Sequence, residues 1–445
     1  MLLSELVHRD IGILGAGREG QAVWRWLRTR YPEKPISIYD EQPASKAQKA
    51  IFNGPYDHLV TGMFDVDHLA RHDLLIRSPG ISPYRSELVA LRNKGVQFSS
   101  ASSLWFAQHP EAKTICITGT KGKSTTASLV AHLISASGLK VQLAGNIGQP
   151  LLEFDKLEAD WWVIELSSYQ LVDLEARPSI AAILNLTDEH LDWHGGRQAY
   201  QDDKLRIAEL AEDAPLIANR SDDLLVQRLS GRDGLVWFGE EAGFHVTDNR
   251  LWHGETCLDN IPRRALQGPH NLCNLAAALS ILEQAGIELK NVAASLSSFT
   301  GLPHRLQDLG QLNGVNYVSD SLSTTPVATL AALEALRGSR IILLLGGLDR
   351  GLDWQPLMPQ MKELCPFAVI CLPDNGPEIA SVIEEAGLRP KGGIQCAASL
   401  DSAMAMVAVL ANDGDTVLLS PGAPSFPHFS DYQDRGDQFK RLAGL

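Results

Sequence analysis

The chain has 445 residues, 44% of them hydrophobic and 21% charged, with a formal net charge of -14. That length exceeds a single core and, at roughly 150 residues per domain, suits about three, while the ordinary composition excludes disordered and collagen-like classes. The acidic balance argues against nucleic-acid binding, which needs a basic surface, so any phosphate must be gripped locally.

The six cysteines, Cys116, Cys257, Cys273, Cys365, Cys371 and Cys396, are scattered without C-x-x-C pairs. Neither a zinc site nor a disulfide framework is supported, and they read as reduced core residues. No apolar run reaches the roughly 18 residues of a membrane span, and "MLLSELVHRD" lacks the basic start and apolar stretch of a signal peptide. A cytoplasmic protein without membrane insertion is expected.

Residues 1–105 alternate short apolar strands with helical stretches, the pattern of a parallel sheet covered by helices. Within them "IGILGAGREGQAVWRWL" (11–27) reads as a strand, then Gly15, Gly17 and Gly20 in G-x-G-x-x-G spacing, then a helix. Asp40 closes the next strand, "PISIYD". In a Rossmann unit such a turn holds a diphosphate and such an acid takes a ribose hydroxyl. Alone, this segment fits a nicotinamide-dependent oxidoreductase. "RSPGISPY" (77–84) ends a further strand and offers the Ser78 hydroxyl and the Gly80 amide, with Pro79 between them.

From residue 106 the pattern restarts. "ICITGTKGKSTTASLVAHLI" (115–134) is an apolar strand, a turn with Gly119 and Gly122, and a helix with Leu129, Val130, Leu133 and Ile134 on one side. Small residues let backbone N–H groups face an anion at the positive end of the helix. Lys123 can then reach the outer phosphates and the Ser124 hydroxyl can ligate magnesium. The expected ATP loop is Gly119, Thr120, Lys121, Gly122, Lys123, Ser124 and Thr125. The general G-x-x-x-x-G-K-[ST] spacing fails, because its first glycine would fall at Ile117, so the loop is a variant. An oxidoreductase has no use for it, and a regulatory or motor-type P-loop NTPase has no use for the first glycine turn. The strands "WWVIEL" and "AAILNL" put Glu165 and His190 at strand ends near Lys123. Residues 230–265 read as short antiparallel strands inserted before the next helix.

Residues 301–445 form a third set of strands, "GVNYVSDS", "IILLLGG", "FAVICL" and "DTVLLSPG", each ending in Gly, Asp or Ser and separated by helices rich in Ala and Leu. The fold class expected is therefore α/β with three domains. These are a Rossmann-like unit (1–105), a P-loop ATPase-type parallel sheet (106–300) and a Rossmann-like carboxyl-terminal unit (301–445). Open parallel sheets bind ligands beyond the carboxyl ends of their strands, so each strand-end turn is a candidate site.

The variant loop G-T-K-G-K-S-T is followed in order by "GNIGQPLL", "VIELSSYQL", "NLTDEHLDWHG", "YQDDKLRI", "GPHNLCNLAAAL", "GLPHRLQ" and "LLSPGAPSF". This series resembles the Mur ligases and their folate and cyanophycin relatives over nearly the whole chain. Within that family it is most similar to the MurD type, which adds glutamate to UDP-N-acetylmuramoyl-L-alanine. The resemblance implies that ATP phosphorylates the alanyl carboxylate and that the amine of glutamate attacks the acyl phosphate. It puts the UDP substrate at Gly15, Gly17, Arg18, Glu19, Gly20, Asp40, Ser78, Pro79, Gly80, Asn146 and Tyr200. Catalytic roles fall on Lys123, His190, Lys204 and Asn146. Magnesium falls on Ser124, Glu165, His190 and Lys204, the last as a carbamate. Asn271 and Asn274 match the adenine side, and His304, Arg305 and Asp320 the hinge and ribose region. A monomer is expected.

For the amino acid, Thr324, Arg350, Ser425 and Tyr432 remain as holders of its carboxylates, and Arg350 could take one in a bidentate fork. Leu322 stands where the D-glutamate type has a lysine, Thr325 where it has an asparagine, and Pro424 enters the last loop. With "GGLDRGLDW", these departures look more like the variant that adds L-glutamate, with D-glutamate as the alternative.

Overall fold

The computed structural model describes residues 3–43, 46–147, 149–258, 261, 266, 269–288, 292–299, 301–349, 352–425 and 427–445. Five parallel strands build the first sheet: β1 (Ile11–Leu14), β2 (Ile36–Asp40), β3 (Asp57–Thr61), β4 (Leu74–Arg77) and β5 (Gln97–Ser99), in the order β3-β2-β1-β4-β5. Chain order reverses between β1 and β4. Such a reversal is where open parallel sheets hold ligands, and here the glycine turn and the loop after β4 meet, with Ser78 Oγ donating to Gly15 O at 3.4 Å.

The second sheet is also parallel. It contains β6 (Thr114–Thr118), β7 (Val141–Gly145), β8 (Trp161–Glu165), β9 (Ile180–Ile183), β10 (Leu216–Asn219) and β11 (Leu235–Phe238), ordered β11-β10-β9-β6-β8-β7. β6 and β8 are wholly buried and mostly apolar, as strands covered on both faces are. "LVWF", expected in the antiparallel insertion, instead pairs parallel with β10 through Leu216 and Leu235. Its apolar side chains extend the main sheet. The insertion itself is confined to β12 (Phe244–Thr247), β13 (Arg250–His253) and β14 (Thr256–Leu258), which are antiparallel.

These two sheets belong to one compact unit, Met1–Ile261 with Pro269–Leu296. One apolar cluster runs through both, from Ile13 and Trp26 through Trp105 to Trp162 and Ile183. Polar contacts reinforce the seam: Arg30 pairs with Asp155 at 2.7 Å and Arg25 with Glu153 at 2.6 Å.

The second unit, which includes Ser297–Leu445, holds a six-stranded sheet. Its strands are β15 (Gln307–Leu312), β16 (Val315–Ser319), β17 (Ile341–Leu345), β18 (Ala368–Cys371), β19 (Ile394–Cys396) and β20 (Thr416–Leu419), ordered β15-β16-β20-β17-β18-β19. Only β15 runs antiparallel.

The cysteine expectation needs correcting. Cys116 and Cys371 lie in the core, Cys257 is half-buried, and Cys273, Cys365 and Cys396 are exposed. The exposed three sit on a helix face, in a loop and at the edge strand β19, where no sheet face covers them. Among the described residues, no helix is long and apolar enough to cross a membrane.

Candidate active site

The phosphate loop takes its shape from two glycines that no other residue could replace cheaply. Gly119 has φ +152°, and a Cβ there would lie 2.9 Å from the Leu184 side chain. Gly122 caps the helix Lys123–Ala136 in the left-handed region at φ +83°, and a Cβ would meet Asn274 Oδ1 at 2.3 Å. Asn274, one of the two asparagines expected on the adenine side, therefore lies against this loop, and it donates to the other, Asn271 Oδ1, at 3.1 Å. The loop is braced from the end of β9: Thr120 N donates to Asn185 O at 3.0 Å and Lys121 N to Asn185 Oδ1 at 2.8 Å. Lys121 Nζ pairs with Glu189 at 2.6 Å. Ser124 and Thr125 begin the helix, half-buried.

Two lysines converge on one carbonyl. Lys123 Nζ donates to Gly119 O at 2.9 Å and to Thr120 O at 3.0 Å, and Lys204 Nζ donates to Gly119 O at 3.0 Å. Lys204 lies on the helix Arg197–Leu210 and is 2% exposed. Burial, aided by the Lys123 ammonium, pushes its pKa down to about 7. A neutral amine is therefore accessible near neutral pH, which carbamylation requires. Tyr200, expected on the nucleotide-sugar side, is buried one helical turn earlier, with its hydroxyl 2.7 Å from Thr120 Oγ1. That placement makes it a support for the phosphate loop from behind.

Glu165, the last residue of β8, is 0% exposed. Its Oε1 accepts from Asn146 Nδ2 at 2.7 Å, and its Oε2 is buried without a hydrogen-bond partner. A buried carboxylate oxygen left unpaired is costly, so this atom calls for a cation. Asn146 is fixed by its own N–H, which donates to Glu165 O at 2.9 Å, across Gly145 at φ +102°. His190 occupies the left-handed region at φ 56°, a strained place for a residue with a Cβ and of the kind that collects at functional sites. Burial, with His194, Lys123 and Lys204 nearby, outweighs Glu189 and lowers its pKa, which favours the neutral imidazole that a metal ligand must be. Among the described residues no three His, Cys, Asp or Glu side chains cluster tightly enough to hold a metal by themselves. By chemical type, the carboxylate of Glu165 and the hydroxyl of Ser124 are hard oxygen donors of the kind magnesium takes.

At the first glycine turn Gly15 has φ +96°, and a Cβ on Gly20 would lie 1.8 Å from Gly15 O, so the third glycine lets the helix meet the strand. Gly17 and Arg18 are exposed at the turn. Asp40 departs from the simple reading: its Oδ2 accepts from Ala16 N at 2.8 Å and its Oδ1 from Gln42 N at 2.9 Å. It shapes the turn with both oxygens. Glu19 faces Gln170 at 3.3 Å, and burial raises its pKa to about 7.

The residues that motif reading missed lie behind Ser78, Pro79 and Gly80. Arg77, fully buried, pairs with Asp173 at 2.7 Å and donates to the carbonyls of Ser78, Pro79, Ile81 and Tyr169. It thereby gathers four carbonyls of the loop and its neighbour onto one guanidinium. Trp193 Nε1 donates to Gly80 O at 3.1 Å, and Tyr84 Oη donates to Asp203 Oδ1 at 2.6 Å. Asp203 also holds His194 Nδ1 at 2.6 Å, while His194 Nε2 meets Ser168 Oγ at 3.0 Å. The "RSPGISPY" loop is thereby locked to the helix that carries Lys204. "RSPGISPY" displays Arg77 and Tyr84, but their partners lie about a hundred residues away.

In the second unit Asp320 is buried. It accepts from Leu306 N at 3.0 Å, from Ser420 Oγ at 2.8 Å and from Ser323 Oγ, and burial raises its pKa. It organises the loops after β16 and β20. His304, at φ 58°, lies 3.2 Å from Ser319 Oγ, and Arg305 is exposed. Thr324 and Tyr432 are half-buried and Ser425 is buried on the same loops, while Arg350 lies outside the described residues.

Three domain profiles match in sequence order: Mur ligase MurD-like, N-terminal domain, over residues 9–100; Mur ligase middle domain over 117–282; and Mur ligase, glutamate ligase domain, over 304–422. The chain belongs to the Mur ligase family. Among similar proteins, the UDP-N-acetylmuramoyl-L-alanine--L-glutamate ligase of Xanthomonas euvesicatoria pv. vesicatoria is 40% identical over 100% of this chain and 97% of its own length. The protein of that name from Micromonospora sp. is 35% identical over 99% and 97%. The family fold recurs in solved structures. MurC of Thermotoga maritima gives a TM-score of 0.59 at 17% identity over 98% and 99% of the two chains. MurF of Acinetobacter baumannii gives 0.60 at 17% identity over 92% and 85%.

With a triphosphate expected at the Lys123 loop and a different anion at the Gly15 turn, the two sites follow separate strands, β6 and β1. Lys123→Ala should therefore slow ATP-dependent phosphate release roughly a hundred- to a thousandfold, the usual loss for one preorganised donor. Equilibrium binding of UDP at the first turn should stay within experimental error of the wild type.

Proposed function

We propose that this enzyme joins L-glutamate to UDP-N-acetylmuramoyl-L-alanine with conversion of ATP to ADP and phosphate. The observation that carries the reading is the convergence, in one compact unit, of a phosphate loop, the orphaned Glu165 oxygen and a second anion turn. Making an amide from a carboxylate requires a better leaving group than oxide. The alanyl carboxylate oxygen attacks the γ-phosphorus and ADP departs. The glutamate amine then attacks the acyl carbon, losing a proton, and phosphate leaves with one former carboxylate oxygen.

In this account the amides of residues 119–125 and Lys123 hold the phosphates, and the turn at Gly15 with the Ser78–Gly80 loop anchors the UDP. Asn146 steadies Glu165 at the reacting end. Ser124, Glu165, His190 and a carbamylated Lys204 would hold magnesium, which when bound offsets the charge of the crowded phosphates. Thr324, Arg350, Ser425 and Tyr432 would receive glutamate. Labour divides among residues 1–105 for UDP, 106–300 for ATP and 301–445 for the amino acid. A soluble nucleotide-sugar substrate and ATP suit a cytoplasmic monomer.

L-glutamate is preferred over D-glutamate because both relatives named above carry L-glutamate in their names and because of the Leu322, Thr325 and Pro424 departures. Phosphate release should require ATP, UDP-N-acetylmuramoyl-L-alanine and L-glutamate together; release with D-glutamate alone would reverse the chirality, and release without the nucleotide sugar would end the reading. Lys204→Ala should be inactive and partly restored by short-chain carboxylic acids such as acetate, which return the missing oxygens. Absence of any rescue would remove the carbamate from the account.

A further inference from the structure

Among the described residues two arginines are fully buried, and they differ in one respect. Arg77 is ion-paired with Asp173 at 2.7 Å. Arg435, 1% exposed on the helix Tyr432–Leu442, has no carboxylate partner among the described residues. Its Nε donates to Ser321 Oγ at 3.0 Å, one terminal nitrogen to Ser321 O at 2.8 Å, and both terminal nitrogens to Ala423 O at 3.1 Å. Every acceptor is neutral. Burial alone pushes its pKa down to about 10, so the cation persists at neutral pH without a counter-ion.

Burying an unpaired charge costs several kcal/mol, and folds normally pair it. The surroundings indicate what is missing. Ser321 follows β16, Ala423 follows β20, and Gly347, whose Cβ would lie 3.2 Å from an Arg435 terminal nitrogen, follows β17. β16, β20 and β17 are neighbours in the sheet, so the guanidinium lies directly beneath the adjoining carboxyl-end loops of three strands, where open parallel sheets hold their ligands. The loops are also tied to each other: Gly346 N donates to Pro421 O at 2.8 Å and Leu348 N to Pro424 O at 3.1 Å. Ser321 Oγ further donates to Tyr432 O at 2.8 Å.

We propose that Arg435 is the built-in counter-charge of the amino-acid subsite: a positioning residue that fixes the loops after β16 and β20 and supplies the positive potential selecting an anionic amino acid. It acts through Ser321 and Ala423 rather than by touching the ligand. This rests on the glutamate reading above and extends it to a residue outside the expected set of Thr324, Arg350, Ser425 and Tyr432.

The test uses the full chain and initial-rate phosphate release, with each of the three substrates varied in turn. Arg435→Gln should raise the glutamate KM roughly ten- to fiftyfold, the effect of one unit charge acting through a few ångströms of protein. The KM values for ATP and the nucleotide sugar should stay within about threefold, the signature of lost binding at one subsite. Arg435→Lys, which keeps the charge and loses the fork, should recover most of the glutamate affinity. An active, folded Arg435→Gln with unchanged glutamate KM, or with equal losses for all three substrates, overturns the inference and leaves the functional reading standing. A wild type that releases no phosphate with glutamate overturns both. Should Arg435→Gln fail to fold, Arg435→Lys decides: a glutamate KM near the wild-type value supports the charge role, and a loss shared by all three substrates refutes it.

Discussion

The Gly119 carbonyl oxygen is the common acceptor of two ammonium groups, and much of the catalytic unit follows from that arrangement. Lys123 comes from the helix of the phosphate loop and Lys204 from the helix Arg197–Leu210, and like charges so close would ordinarily be avoided. Their proximity becomes favourable only when anions arrive. In the proposed reaction a triphosphate would supply negative charge to Lys123, and a pKa of about 7 lets Lys204 become neutral, as the proposed carbamate requires. The unpaired Glu165 oxygen on the adjacent strand expresses the same imbalance with the opposite sign. Two lysines and a carboxylate are thus held in place by the fold itself, the kind of fixed electrostatic arrangement that avoids reorganisation during reaction.

That strategy needs a rigid frame. The loop after β4 is fastened through Arg77 to Asp173 and through Tyr84 to Asp203, immediately before Lys204. The continuous apolar cluster from Ile13 to Ile183 does the same on a larger scale. In the proposed reaction, the distance between UDP and the reacting carboxylate would be set by these packed side chains and buried hydrogen bonds. A misplacement of even an ångström there would sacrifice much of the advantage of proximity.

The sequence made the strand–turn–helix units legible because glycines, lysine and apolar periodicity are local signals. Gly15, Gly20, Gly119 and Gly122 have the steric reasons expected of them, and Glu165 ends its strand as predicted. Illegible were the roles set by distant partners. Asp40 serves the Ala16 amide, Tyr200 braces Thr120, and Asp320 bridges loops separated by about a hundred residues. β11 escaped because the short apolar run "LVWF" carries no information about which strand it will join, and periodicity cannot separate an edge of the main sheet from an inserted hairpin. The His194–Asp203–Tyr84 chain was invisible for the same reason. Each residue alone is an unremarkable polar side chain, and only the fold brings them together.

The central claim is that the alanyl carboxylate is activated as an acyl phosphate at the Lys123 loop. It is tested most directly by placing oxygen-18 in both carboxylate oxygens of UDP-N-acetylmuramoyl-L-alanine and analysing the phosphate released on ligation by mass spectrometry. Transfer of a single oxygen-18 atom into each phosphate is the predicted result. Phosphate free of the label, with the amide product still formed, would contradict the account.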